Sequence, residues 1–182
     1  RLLVDMLGER NVYSTELDHL EKNRFETAAI QGKRLVMLTD AKDYGGDGNV
    51  LKALTGQDWL RKEKKNKQQE EPFIFDGLVV IAANKPISFK DLSSAIPRRR
   101  VSIVFDRVTP IAKRRDLSTE FKPYIGGLLN WVLSMPADRV EDLLRNSEKH
   151  CAATAVAKKQ TLIESNSLIA WLDNCVVFAP DN

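Results

Sequence analysis

Two polar side chains stand where apolar runs end, in a pattern typical of sites that bind metal and phosphate. Asp40 follows the run Leu35–Thr39, and Asn84 follows the run Leu78–Ala83. A carboxylate at the end of a buried parallel strand is where α/β nucleotide-binding proteins hold Mg²⁺, directly or through water. An amide at a neighbouring strand end can orient water or contact a γ-phosphate without adding charge. Each residue alone could equally begin a turn, so the prediction depends on both lying in one crevice.

Three consecutive arginines, Arg98, Arg99 and Arg100, follow Pro97. A guanidinium is permanently charged and binds phosphate in a planar fork, which suits an arginine finger that stabilises charge on a γ-phosphate. Three adjacent side chains cannot all point one way, so we expect at most two to reach a single site. The alternative is a solvated basic edge or a contact with a phosphate backbone.

A polar segment over residues 61–71 contains four closely spaced lysines. The apolar residues on either side of it predict two hairpin strands with the lysines at the tip. Lysines there can follow a phosphate backbone without reading bases, although the interspersed glutamates weaken the patch and charge runs are usually only solvated. The candidate DNA-binding residues are Lys62, Lys64, Lys65 and Lys67.

The cysteines and histidines do not predict a metal centre. His150 and Cys151 are adjacent, but the other two such residues, His19 and Cys175, form no second close pair of the kind a four-ligand zinc site needs. Buried or idle thiols are the simpler interpretation. Nothing in this composition demands an oxidising compartment, and we therefore expect an intracellular location.

The elements that must position these groups alternate between short helices and apolar strands. This alternation predicts an α/β layered sheet. Beyond Thr109-Pro110 the pattern is helical throughout, so we place a domain boundary there, with one domain over 1–108 and a second over 109–182. We predict strands at 35–39, 78–83 and 101–105, and helices at 13–24, 23–30, 50–54, 121–135, 137–144, 152–163 and 168–172.

The composition sets limits on the whole chain. With 182 residues, 43% of them hydrophobic and 29% charged, it can form a sizeable core. The net charge is only +3, so any nucleic-acid contact must come from local clusters. No apolar run approaches the roughly 20 residues that span a bilayer, and we predict no membrane partner. Arg1–Gly8 is typical of the end of a helix closed by glycine, which indicates that the chain begins within an element.

The order of these motifs resembles the core of superfamily 3 DNA helicases, especially the viral, phage and plasmid primase–helicases. In that family an Arg-Phe pair and a Gly-Lys-Arg triplet precede the second nucleotide motif. They stand here as Arg24-Phe25 and Gly32–Arg34. Leu35–Asp40 then resembles the Walker B motif. The resemblance covers roughly residues 1–108, and the order of the motifs is more specific than any one of them.

Further segments extend the resemblance along the chain. Lys52–Asp58 is similar to the family's Lys-x-Leu-Thr-Gly-Gly-Asp helix, which leads into a basic hairpin that projects into a DNA channel. Ala83-Asn84 resembles motif C with its sensor asparagine, and Pro97–Arg99 resembles the arginine-finger segment. The tail, at Gly127–Trp131 and Met135–Val140, is similar to the segment that follows the motor in phage-type relatives.

The resemblance implies a three-layer P-loop NTPase core of the AAA+ type, incomplete at its N-terminus and followed by a small α-helical region. It implies ATP and Mg²⁺ as cofactors, and a ring, most simply a hexamer, that translocates on single-stranded or forked DNA. Asp40 would hold Mg²⁺ through water and Asn84 would sense the γ-phosphate, while Arg99, or else Arg98, reaches the neighbouring subunit. Such replication machinery is cytoplasmic and encoded by bacteria or phages.

Two departures from the family pattern limit these expectations. The first Walker motif, Gly-x-x-x-x-Gly-Lys-Ser/Thr, is absent, so we expect the chain by itself to be catalytically inactive. Relatives often carry glutamate or two acids where this chain has Asp40-Ala41, and Asp43 is the candidate for a second carboxylate. The alternatives are a DNA-binding module without catalysis and a purely structural assembly domain.

Overall fold

The computed structural model describes residues 1–39, 41, 44–63, 70–84, 87, 89, 95–105 and 107–176. The chain is a mixed α/β protein with a small parallel sheet, a separate hairpin and a series of helices. Helix α1 covers Leu2–Leu7 and ends at Gly8, whose φ of 80° closes the helix as its sequence predicts. A short 3₁₀ turn at Glu9–Asn11 then leads into the sheet.

The sheet has three parallel strands in the order β1-β2-β5, where β1 is Val12–Thr15, β2 is Leu35–Leu38 and β5 is Leu78–Ile81. Val36 at the centre is paired with Tyr13 on one side and Val79 on the other. The central strand is an apolar run because both faces of a parallel sheet are normally covered.

Helices α2 (Leu17–Lys22), α3 (Glu26–Ile30) and α4 (Asn49–Gly56) contribute to the core beside this sheet. Each buries two residues three positions apart, as an amphipathic helix requires, and in α3 one of the two is Thr27. They pack with alternate residues of β2, with Ile96 on α5 (Ala95–Arg99) and with Ile87 and Phe89 before that helix. The buried apolar residues of this core are Leu17, Leu20, Ile30, Val36, Leu38, Tyr44, Leu51, Leu54, Leu60, Phe75, Ile87, Phe89 and Ile96.

The predicted hairpin is confirmed. Strand β3 (Trp59–Lys62) pairs antiparallel with β4 (Glu70–Ile74), with an irregularity between Leu60 and Lys62. Leu60 anchors the hairpin in the core. The hydroxyl of Thr27 on α3 also donates a hydrogen bond of 2.7 Å to the Arg61 carbonyl.

Two predictions about residues 1–108 are wrong. Residues 12–15 form a strand rather than the start of a helix, because pairing with β2 outweighs the polar start signals at Ser14 and Thr15. The predicted strand at 101–105 is not a strand, since no neighbouring strand of the described chain offers it backbone partners. Its apolar side chains are exposed, Phe105 to 92%.

The chain beyond α5 is helical, as predicted, but the first helix is divided. Pro123 lacks an N–H group, and the predicted helix over 121–135 begins earlier and is interrupted by a 3₁₀ turn at Lys122–Tyr124. Single helices match the other three predictions to within three residues. The helices are α6 (Leu117–Phe121), α7 (Ile125–Leu133), α8 (Ala137–Arg145), α9 (Ser147–His150), α10 (Ala152–Ser165) and α11 (Ser167–Cys175).

None of the helices in the described part of the chain has both the length and the apolar character needed to span a bilayer.

Candidate functional site

The carboxyl ends of β2 and β5 lie side by side at one edge of the sheet. The two strands are paired directly, and Ala82 N donates a hydrogen bond of 2.9 Å to Leu38 O. Beyond position 40, Ala41 N donates back to Ala82 O at 3.4 Å. The segments that follow these strands therefore remain side by side as far as Ala41 and Ala82. The expected adjacency of the two strand ends is confirmed.

Of the residues proposed to act at this edge, the structure describes some and not others. Asn84 follows β5 and is exposed. Asp40 and Asp43 lie outside the described residues. The backbone on both sides of position 40 is held, since Thr39 N donates to Thr15 O at 3.2 Å and Ala41 N is bonded as above.

The three arginines after Pro97 have different environments. Arg98 and Arg99 end α5 and are exposed. Arg99 lies against the carboxyl end of α4, because a methyl group built on Gly56 would be 3.3 Å from Arg99 Nη2. A cation at that end of a helix is favourable. Arg99 forms no hydrogen bond to Asn84 within the described residues, and a finger that acts on a neighbouring subunit would require none.

Arg100 has a structural position. Its Nη1 donates to Ile87 O at 3.4 Å, and its Nη2 donates to the hydroxyl of Thr161 on α10. This side chain thus joins α5 to the helical region. That arrangement agrees with the expectation that at most two of the three arginines reach one site.

The hairpin lysines are only partly placed. Lys62 is 8% exposed and donates a hydrogen bond of 3.1 Å to Gln31 Oε1, so it is not a lysine of the exposed tip as expected. It lies two residues after the buried Leu60, and alternate residues of a strand share a face. Lys64, Lys65 and Lys67 lie outside the described residues.

Polar contacts join the base of the hairpin to α3 and to Arg24, which lies two residues before that helix. Arg24 pairs with Glu63 at 3.0 Å, and its guanidinium lies 5.1 Å from the centre of the Phe25 ring. Together with the bond from Thr27 to Arg61, these contacts fix the direction in which the hairpin leaves the core. The Arg-Phe pair found in the sequence therefore supports the hairpin base.

Two tyrosines beside the sheet are held in their neutral form. Burial raises the pKa of Tyr13 to about 12, assisted by its 2.9 Å hydrogen bond to Glu26 and by the charge of that carboxylate. Burial also raises the pKa of Tyr44, to which the charge of Glu21 contributes. The Tyr13 hydroxyl connects β1 to α3 through Glu26, and neither tyrosine is poised to act as an acid or base near neutral pH.

A cleft that the sequence did not predict lies between α1 and α7. It is lined by Val4, Asp5, Gly8, Glu9, Lys122 and Ile125. Its two carboxylates, Asp5 and Glu9, both pair with Arg1 at 3.1 Å, so that one guanidinium offsets only one of their two negative charges. No signal in the sequence brings these distant segments together.

The described residues contain no group of three side chains able to hold a metal ion. His150 pairs instead with Asp142, with 2.7 Å between Nε2 and Oδ2. Cys151 and Cys175 are free and exposed, so of the two alternatives expected from the sequence, buried or idle thiols, burial does not apply.

Comparison with known proteins identifies the family but no activity. A family of unknown function (DUF5906) matches residues 1–100, and the chain belongs to this family. The chain is also 26% identical over 146 residues to the "Uncharacterized mitochondrial protein ymf20" of Marchantia polymorpha. That alignment covers 76% of this chain and 86% of the relative. Neither description names a substrate or a partner.

Proposed function

We propose that the chain is part of an ATP-dependent DNA helicase of the superfamily 3 type. The observation that carries the proposal is the direct parallel pairing of β2 with β5. Asp40 and Asn84 follow these two strands, so the topology brings a carboxylate and an amide to one edge of the sheet. That is where open α/β sheets bind their ligands.

The unpaired edge of the sheet supports the P-loop NTPase interpretation. Among the described residues β5 pairs only with β2, and Leu78 at its start is exposed. The apolar segment 101–105 is exposed as well. A P-loop is preceded by a strand of the same sheet. We propose that such a strand, followed by the phosphate loop, lies upstream of Arg1 and covers this edge.

The proposed roles follow from these positions. Asp40 holds Mg²⁺ through water and polarises the attacking water, and Asn84 contacts the γ-phosphate. Arg99, or else Arg98, reaches the nucleotide of the next subunit in a ring, most simply a hexamer. Of the hairpin lysines, Lys64, Lys65 and Lys67 contact the DNA backbone in the channel. The buried Lys62 instead stabilises the base of the hairpin through its hydrogen bond to Gln31.

The proposal is tested by ATP hydrolysis in a chain extended upstream through the phosphate loop. We expect hydrolysis that single-stranded DNA stimulates and that Asp40→Ala abolishes. Asp76→Ala is the matched control, because Asp76 is an exposed carboxylate after β4 whose partner is Arg34 on the surface. Equal activity of both variants would overturn the role of Asp40.

The rival interpretation is a DNA-binding module without a motor. It predicts DNA binding but no hydrolysis in an assembled chain that carries the phosphate loop. A purely structural assembly domain would bind neither DNA nor nucleotide.

A further inference from the structure

One exposed segment after the sheet domain is strongly cationic. Residues 107–124 contain five basic and two acidic side chains, a net charge of +3, which equals the net charge of the whole chain. The net charge remains positive when Asp106, immediately upstream, is counted with the segment. Every residue of 107–124 is exposed. The basic residues of this cationic segment are Arg107, Lys113, Arg114, Arg115 and Lys122.

The two acidic groups of the cationic segment have local roles. Asp116 accepts hydrogen bonds from the backbone N–H groups of Ser118 and Thr119 and thereby caps α6. Glu120 is paired with Arg115 at 3.5 Å. Asp116 and Glu120 are therefore not available to pair with the other cations of the segment. Arg107, Lys113 and Lys122 form no ion pair within the part of the chain that the structure describes, and each presents its charge to solvent.

Exposed aromatic rings accompany these charges. Phe105 is 92% exposed directly before the cationic segment, Tyr124 is 71% exposed at its end, and Phe121 is also exposed. These rings are not part of the buried core, and within the described residues none of them stacks on another ring. Aromatic faces beside cations are the combination that binds single-stranded nucleic acid, since bases stack on the rings while cations follow the phosphates.

We infer that the cationic segment, together with Phe105, is a binding surface for single-stranded nucleic acid. An anionic membrane is a poorer match, because interfacial binding requires an amphipathic helix of some length and α6 has only five residues. The surface is distinct from the hairpin and does not depend on ATP hydrolysis. The inference rests on the proposed function in one respect only, which is the choice of DNA as the single-stranded nucleic acid.

The test is the binding of the 182-residue chain to a fluorescent oligothymidylate, followed by anisotropy without nucleotide. An oligonucleotide of about 20 nucleotides exceeds the roughly 4–16 that one such surface covers. The combined variant Arg107→Ala/Lys113→Ala/Lys122→Ala should weaken binding about tenfold or more. The slope of log affinity against log salt should fall by about 2, because each lost phosphate contact removes about 0.7.

A charge-matched control separates position from net charge. Arg139→Ala/Arg145→Ala/Lys149→Ala removes the same charge from α8 and α9, where all three side chains are exposed, and should leave affinity nearly unchanged. Equal losses in the two triple variants would overturn the inference. Circular dichroism checks that each variant remains folded.

The rings provide a second and independent readout. Phe105→Ala and Tyr124→Ala should each weaken binding about fivefold or more, while Trp171→Ala on α11, also exposed, should not. If the ring variants bind as the parent does and phosphatidylserine vesicles compete for the segment, the surface is a membrane contact and the inference is wrong. If the 182-residue chain fails to bind the oligothymidylate while the upstream-extended chain shows DNA-stimulated hydrolysis, the inference is wrong and the motor stands. Binding by the 182-residue chain with no hydrolysis by the extended chain would overturn the motor alone.

Discussion

The sheet domain and the helical region after α5 contain similar apolar segments but bury them very differently. Between Leu17 and Ile96 the helices and strands share one core of fully or nearly fully buried side chains. In the described residues after Ile96, the only buried side chains are those of Thr154 and Thr161. Leu133 and Trp131 on α7 are exposed. Helices of ordinary amphipathic pattern therefore do not by themselves indicate a packed domain.

This difference indicates where the stability of the chain resides. Burial of apolar surface is the main favourable term in folding, and only the sheet domain achieves it. The helical region is connected to that domain through Arg100, which bonds to Thr161, and through the contact of α1 with α7. We expect the two regions to respond differently to the same kind of substitution.

The largest expected difference is between two apolar deletions. Ile30→Ala, at a residue with 0% exposure, should lower the free energy of unfolding by about 2–5 kcal/mol, because it leaves a cavity in the core. Leu133→Ala, at a residue that is 72% exposed, should change it by less than about 0.5 kcal/mol. Urea unfolding followed by circular dichroism measures both. Similar losses would show that the helical region is packed as tightly as the sheet.

The next effect is a loss of stability of the sheet domain at alkaline pH. The folded pKa of Tyr13, about 12, is above its ordinary value of 10.0. The stability this residue contributes is therefore complete below pH 10.0 and is lost as the pH rises through about 12. Tyr13→Phe should remove that part of the pH dependence, and Tyr124→Phe in the helical region should not. A parent protein whose stability is constant over this window would contradict the prediction.

A smaller effect is expected at the start of α4. The carboxylate of Glu21 accepts hydrogen bonds from Val50 N at 3.0 Å and Leu51 N at 2.8 Å, which satisfies two of the unpaired donors of that helix. Glu21→Ala should cost about 1 kcal/mol. Glu16→Ala is the control, because Glu16 precedes α2 without capping it. Equal effects in urea unfolding would exclude this role.

The smallest expected effect is local and lies in the helical region. The hydroxyl of Thr119 is the main cause that lowers the pKa of Asp116, and the backbone N–H groups of Thr119 and Ser118 add to it. The Asp116 carboxylate therefore stabilises α6 fully at pH values above the ordinary pKa of a carboxyl group. This stabilisation is lost as the pH falls through the lowered pKa of Asp116. Thr119→Val should raise the pKa of Asp116, as measured by NMR titration of the carboxyl carbon. Ser118→Ala keeps the backbone donor and should leave the pKa unchanged.

The sequence was sufficient for the elements that carry strong apolar patterns. The central strand β2 and the strand β5 are continuous apolar runs, and the hairpin has apolar strands on both sides of a polar segment. Strand β1 was missed because half of Val12–Thr15 is polar and its pairing depends on a strand more than 20 residues away. The segment 101–105 has the composition of a strand, but a strand forms only beside a partner.

The candidate site was predictable to a smaller extent. The strand ends could be placed together because parallel strands share their carboxyl edge, and this adjacency is confirmed. The burial of Lys62 could have been expected from its spacing to Leu60, whereas its bond to Gln31 could not. The association of Arg100 with Thr161 joins residues 61 positions apart, and no local pattern indicates such a contact.

The most direct test of the proposed ring motor is a mixing experiment with two inactive variants of the upstream-extended chain. Asp40→Ala removes the carboxylate proposed to hold magnesium, and Arg99→Ala removes the proposed arginine finger. If each site combines Asp40 of one subunit with Arg99 of the next, equal mixing should restore DNA-stimulated hydrolysis at about one site in four. Assembled mixed rings that bind ATP and show no restored hydrolysis would contradict a site shared between subunits.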